Sequence, residues 1–130
     1  MQFFETDQMG SFLRPGSSVN ASALGLKPVE QITAVAMSNS GIVYGTNFGR
    51  MLRYSDQQSE VLCVQDGVGT SDCSVRCAVV CMSQTILYSI QNCLFAVGDS
   101  RLLYQTQEPI KGLWDYGTDG IGIITKGTFV

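Results

Sequence analysis

The side chains that most often carry chemistry are scarce in this chain. Its 130 residues include no histidine, five cysteines and eleven acidic residues. Histidine is the commonest general base and a usual metal ligand. Its absence therefore excludes a Ser-His-Asp hydrolase, a Cys-His protease and a zinc site that uses histidine.

Three of the cysteines have a spacing that allows two interpretations. Cys73, Cys77 and Cys81 are four residues apart, so a helix would place their thiols on one face as ligands for a soft metal. On a strand, Cys77 and Cys81 share a face as core residues, and the chain has no Cys-x-x-Cys pair. We favour the second interpretation and predict reduced, mostly buried thiols, with no metal and no other cofactor.

The sequence Gly98-Asp99-Ser100 follows an apolar run and resembles the nucleophile block of GDS-type lipases and esterases. A serine nucleophile of that kind needs a distant histidine as its base, so we interpret the segment as a hairpin turn. An enzyme would have to use carboxylates such as Asp99, Asp115 and Asp119. We predict that the protein is not an enzyme.

Charge and hydropathy limit the partners and the compartment. Eight basic and eleven acidic residues give a net charge of −3, and lysine occurs only at positions 27, 111 and 126. These cations are too few to neutralise a run of phosphates, so we do not expect nucleic-acid binding. No apolar stretch has the length of a membrane span, and Met1 is not followed by a secretory signal. We predict a cytoplasmic protein that binds neither membrane nor nucleic acid.

The N-terminal part differs in composition from the rest of the chain. Residues 1–13 mix phenylalanines with polar residues at spacings that a short helix tolerates, while Gly10 and Pro15 limit its length. Small residues and turn formers then continue to Pro28. We predict that residues 1–29 are an arm or linker, short and irregular or helical, and that the part from Arg14 to Pro28 has little to bury.

From residue 30 to residue 130 the pattern is that of an all-β domain. Short runs rich in Val, Ile, Tyr and Leu alternate with turn formers such as Asn47-Phe48-Gly49 and Asp66-Gly67. Pro28 would also fit the first turn of a helix through Met37, but Ile32, Thr33 and Val35 favour a strand.

The order of the runs recurs, which is the most informative feature of the sequence. Repeats that start near Ile32, Val75 and Ile110 give periods of 43 and 35 residues, with about four strands in each full repeat. Such a period is typical of the blades of a β-propeller, whose four-stranded antiparallel sheets pack against one another.

Two segments resemble blades of WD-repeat type β-propellers. Ile32-Thr33-Ala34-Val35 matches the family's first-strand start, Val43-Tyr44-Gly45-Thr46 matches the end of its second strand, and Val75 to Leu94 follows the same order. The resemblance covers about 100 residues and implies a propeller fold that scaffolds protein partners.

The length of the chain conflicts with a closed ring. Propellers have roughly four to eight blades, whereas this repeat fits the chain about two and a half times. A partial propeller exposes apolar sheet faces and strand edges, so it belongs to a larger propeller or to an assembly with other subunits or with copies of itself. The alternative is a small closed β-barrel or an α+β domain covered by the N-terminal segment.

These observations lead to two hypotheses about function. We predict a non-enzymatic protein-protein interaction scaffold, because arginine and aromatic residues dominate binding hot spots. The residues that we predict to contact a protein partner or a second copy are Arg50, Arg53, Tyr54, Tyr104 and Trp114. The alternative function is that of a self-contained small β-rich domain that binds a peptide or a small molecule.

Overall fold

The computed structural model describes residues 2–6, 13–65, 72–98, 101–117 and 120–125. These residues form strands and turns and no helix, which confirms the all-β class. The strands are β1 (Gln2–Thr6), β2 (Leu13–Ser18), β3 (Ile32–Ser38), β4 (Gly41–Thr46), β5 (Arg50–Ser55), β6 (Gln58–Val64), β7 (Val75–Val80), β8 (Ile86–Ile90), β9 (Cys93–Ala96), β10 (Leu102–Gln105), β11 (Gly112–Asp115) and β12 (Ile121–Ile124). The expected turn at Asp66-Gly67 lies outside the described residues, as does the last β-type run of the third repeat, Gly127-Thr128-Phe129-Val130.

The strands form four antiparallel sheets in which chain neighbours pair. The first sheet has the order β3-β4-β5-β6 and the second has the order β7-β8-β9-β10. The third sheet contains β11 and β12, and the N-terminal hairpin contains β1 and β2. None of these sheets closes into a barrel, so the closed β-barrel and α+β alternatives do not describe this fold.

The three main sheets are stacked with their first strands side by side. Strand β7 contacts both β3 and β11, so the second sheet lies between the other two. One apolar cluster joins the first and second sheets and includes Val43, Met51, Val75 and Tyr88. A second cluster joins the second and third sheets. This repeated-sheet architecture confirms the four-stranded units that the sequence predicted.

The position of each sheet in the stack explains the burial pattern along its strands. All five residues of β8 are buried, because the first and third sheets cover both faces of this strand. In β3, by contrast, half-buried and exposed residues alternate. Since no helix occurs in the described residues, none of them forms an apolar helix long enough to span a membrane.

The N-terminal segment differs from the sequence expectation. Residues 2–6 and 13–18 pair as strands rather than as an irregular or helical arm. Residues 19–31 cross the outer face of the first sheet, where the Leu24 side chain is 1% exposed and packs against Tyr44 and Leu52. The segment therefore has a buried anchor, although small residues surround it in the sequence.

Gly45 allows a close approach between the first and second sheets. A Cβ atom at this position would lie 2.4 Å from Val75 Cγ1 and 3.0 Å from Met51 Sδ. We expect Gly45→Ala to lower the free energy of unfolding by about 1 to 3 kcal/mol, because the sheets must shift to admit a methyl group. Urea unfolding measures this loss.

Gly112→Ala is the matched control for this prediction. A Cβ atom at Gly112, also in a strand, would be 3.2 Å from the flexible end of Ile124. We expect a loss below about 1 kcal/mol for this variant, since the side chain can move aside. Equal losses in the two variants would contradict the role of Gly45 as a spacer between sheets.

Candidate interaction surfaces

The candidate metal ligands are dispersed over the described residues. Within them, no three cysteine or acidic side chains lie close enough to hold a metal ion. Asp99, Ser100 and Asp119 lie outside the described residues, so the predicted turn at Gly98-Asp99-Ser100 is not described either. Asp115 ends β11 and lies near Cys81.

Cys93 is buried and the other four cysteines are half-buried, so the prediction of mostly buried thiols was too strong. All five are free thiols, and Cys77 and Cys81 pack against the cluster between the second and third sheets. Burial raises the pKa of Cys77, Cys81 and Cys93, and the Asp115 carboxylate raises that of Cys81 further. A raised pKa keeps a thiol protonated, and a protonated thiol is a poor nucleophile and a poor metal ligand.

Arg50 is part of the interior. Its side chain is 7% exposed, and its Nη1 atom lies 3.1 Å from the Oε1 atom of Glu30, whose side chain is fully buried. Its Nη2 atom donates to the carbonyl oxygen of Gly25, 3.1 Å away. The guanidinium thus links residues 25–30 to the first sheet. Arg50 therefore has a structural role in this chain.

Arg53 and Tyr54 occupy opposite faces of β5. Arg53 Nη2 lies 2.9 Å from Glu60 Oε2 on the neighbouring strand, and Arg53 also donates to Ser40 Oγ. Tyr54 packs against the cluster around Leu24. Both side chains are half-buried, on a strand that pairs with β4 and β6.

Tyr104 lies on the most exposed strand of the stack. All four residues of β10 are exposed, and the Tyr104 side chain is 50% exposed. Tyr104 pairs with Leu94, so both side chains lie on the same face of the second sheet. Leu94 is buried there against Ile110 and Ile123. The third sheet thus covers Leu94 and leaves Tyr104 in contact with solvent.

Trp114 lies at the other end of the stack. Leu113 on β11 packs against the second sheet, so Trp114, its neighbour along the strand, lies on the opposite, outer face of the third sheet. Trp114 is 55% exposed, and Tyr116 is also exposed just beyond the strand. The five predicted partner-binding residues are therefore distributed over three sheets rather than gathered in one patch.

The outer face of the first sheet carries exposed residues that the sequence analysis did not select. Val35 and Met37 on β3 pair with Tyr44 and Ile42, whose side chains belong to the cluster around Leu24. They lie on the same face but remain exposed, as do Val61 and Val64 on β6. The segment at residues 19–31 thus covers the middle of this face and leaves both margins open. Alternation along 32–38 placed Val35 and Met37 together, but only the packing showed which face stays open.

The comparisons with known proteins concern the fold alone. No family model and no curated protein matches the sequence. The chain is similar to the crystal structure of the computationally designed Ika4 protein, with a TM-score of 0.50 and 16% sequence identity. The match covers 77% of this chain and 70% of that chain. The two proteins therefore share a fold at low identity.

Proposed function

We propose that this protein is a non-enzymatic protein-protein interaction scaffold that works as part of a larger β-propeller or multi-subunit assembly. The observation that carries the proposal is the exposure of Tyr104 on the face of the second sheet where the third sheet buries Leu94. In the described residues the third sheet has two strands where the second has four. Over the part of the chain that the structure describes, the third sheet therefore covers this face at Leu94 and leaves it open at Tyr104.

Both ends of the stack support the same proposal. Trp114 and Tyr116 are exposed at the third sheet, and Val35, Met37, Val61 and Val64 are exposed at the first. Clusters of large exposed apolar side chains are typical of surfaces that bind protein. The likeness of the repeats to WD-repeat blades agrees with a scaffold role. Five free thiols fit a reducing compartment, and we propose the cytoplasm.

Tyr104→Lys is the variant that tests this function. We expect the chain to associate at about 100 µM and Tyr104→Lys to weaken the association at least about tenfold, because a charge replaces an aromatic anchor. Light scattering coupled to size exclusion measures the mass over a concentration series. Circular dichroism checks that the variant keeps its strands.

Gln105→Lys is the matched control, since Gln105 is the exposed neighbour of Tyr104 and pairs with Cys93 on the other face of the sheet. We expect it to associate like the unchanged chain. A chain that stays monomeric throughout the series would contradict the proposed function. It would favour the self-contained domain that binds a peptide or a small molecule.

A further inference from the structure

We propose that the partner is a second copy of this chain, whose N-terminal hairpin adds to the edge of β12 and completes the third sheet. This inference rests on the proposed function and names its partner. The composite sheet would have the order β11-β12-β1-β2, with the last two strands from the second copy. Its strand order would then match that of the first and second sheets.

The order of strands along the chain supports this arrangement. In the first sheet the third and fourth strands, β5 and β6, come directly before the first strand of the next sheet, β7. Strands β9 and β10 precede β11 in the same way. The N-terminal hairpin precedes β3 and so occupies the chain position of a third and a fourth strand. The matching first and second strands are those of the third sheet.

The sequence of the hairpin fits these two positions. Strand β2 contains Pro15, which has no N–H to donate to a neighbour and is therefore suited to an edge strand, the fourth position. Strand β1 contains Phe3 and Phe4 in succession. Two successive apolar residues are typical of a strand covered on both faces, as in the third-strand pairs Met51-Leu52 and Leu94-Phe95.

Strand β12 has hydrogen-bonding groups that face away from β11. The amide of Tyr116 donates to Gly120 O at 3.2 Å, and the register continues with Asp115 opposite Ile121. Hydrogen-bonded and non-hydrogen-bonded pairs alternate along antiparallel strands. The amides of Ile121 and Ile123 therefore point to the outer edge of β12. In the described residues, which end at Thr125, β12 pairs with β11 alone. An added strand would bond to these outward amides.

The added strands would cover the surface that is open in a single copy. They would extend the third sheet over the face of the second sheet that carries Tyr104. The outer face at Trp114 would then meet Val35 and Met37 of the second copy. Over the described residues, two copies would supply four four-stranded sheets and two composite ones. The resulting six sheets lie within the roughly four to eight blades of closed propellers.

The test uses the full chain and two variants with complementary defects. Phe3→Lys/Phe4→Lys impairs the donated strand, and Ile121→Pro removes an outward-facing amide from the accepting edge. Light scattering should give twice the 14.1 kDa of one chain for the unchanged protein and the mass of one chain for each variant. An equimolar mixture of the variants should recover dimers, because one intact hairpin can still pair with one intact edge.

Ser17→Lys/Ser18→Lys is the control, since it adds the same charge to the outer strand of the hairpin, and we expect it to remain dimeric. A dimeric Phe3→Lys/Phe4→Lys variant would overturn the inference and leave the proposed function standing. A monomeric unchanged chain would overturn both. If Ile121→Pro fails to fold, the Phe3→Lys/Phe4→Lys variant and its control still decide the question.

Discussion

Replacing Arg50 with methionine is expected to lower the free energy of unfolding by about 3 to 5 kcal/mol, because it leaves the Glu30 carboxylate buried without its cation. The Glu30 side chain has no exposed surface, and its Oε1 atom lies 3.1 Å from Arg50 Nη1. Thr46 Oγ1 and the Lys27 amide also donate to this carboxylate, at 2.6 and 2.9 Å. These neutral donors do not replace a positive charge.

Chemical unfolding of matched variants checks this prediction. Arg53→Met removes the same functional group from the pair with Glu60, whose side chain is 61% exposed. Because water solvates that carboxylate, we expect a loss below about 1 kcal/mol. Similar losses for Arg50→Met and Arg53→Met would show that burial of Glu30 does not govern the effect.

A second substitution tests whether the charge itself is responsible. Glu30→Gln combined with Arg50→Met leaves no unpaired charge in the interior, so we expect the double variant to be more stable than Arg50→Met alone. If the double variant is less stable, the main contribution of Arg50 is its hydrogen bond to Gly25 or its packing.

The repeated sheets were predictable because their signal is local. The β-branched and aromatic runs between Ile32 and Gln105 set the strands, and turn residues such as Gly49, with a φ of 75°, separate them. The first strands of the three main sheets begin at Ile32, Val75 and Gly112, close to the predicted repeat starts. The order of strands within a sheet then follows from short connections, which favour pairing of chain neighbours.

The roles of single side chains were not predictable, since they depend on distant partners. Arg50 begins a strand and resembles a surface residue in the sequence, but its carboxylate partner is twenty residues earlier, on the segment that crosses the first sheet. Tyr104 and Trp114 are exposed for a reason that no local pattern contains, namely which faces the neighbouring sheets cover.

The N-terminal segment was misjudged for a similar reason. Between Asn20 and Pro28 the composition is that of a linker, and its two leucines give a weak signal. The burial of Leu24 requires the face formed by Tyr44 and Leu52, which only the folded first sheet presents. The Tyr44 hydroxyl donates to Leu24 O at 2.5 Å, and burial raises the pKa of Tyr44 to about 12.

Leu24→Ala is expected to lower the free energy of unfolding by about 2 to 5 kcal/mol, because it leaves a cavity over Tyr44 and Leu52. Urea unfolding measures the loss, and hydrogen exchange should show faster exchange of amides in β4 and β5. Val29→Ala is the control, since Val29 is in the same segment and 85% exposed. We expect no loss for it. If Leu24→Ala were equally harmless, residues 19–31 would be a linker as their composition suggests, and the outer face of the first sheet would be open to a partner across its full width.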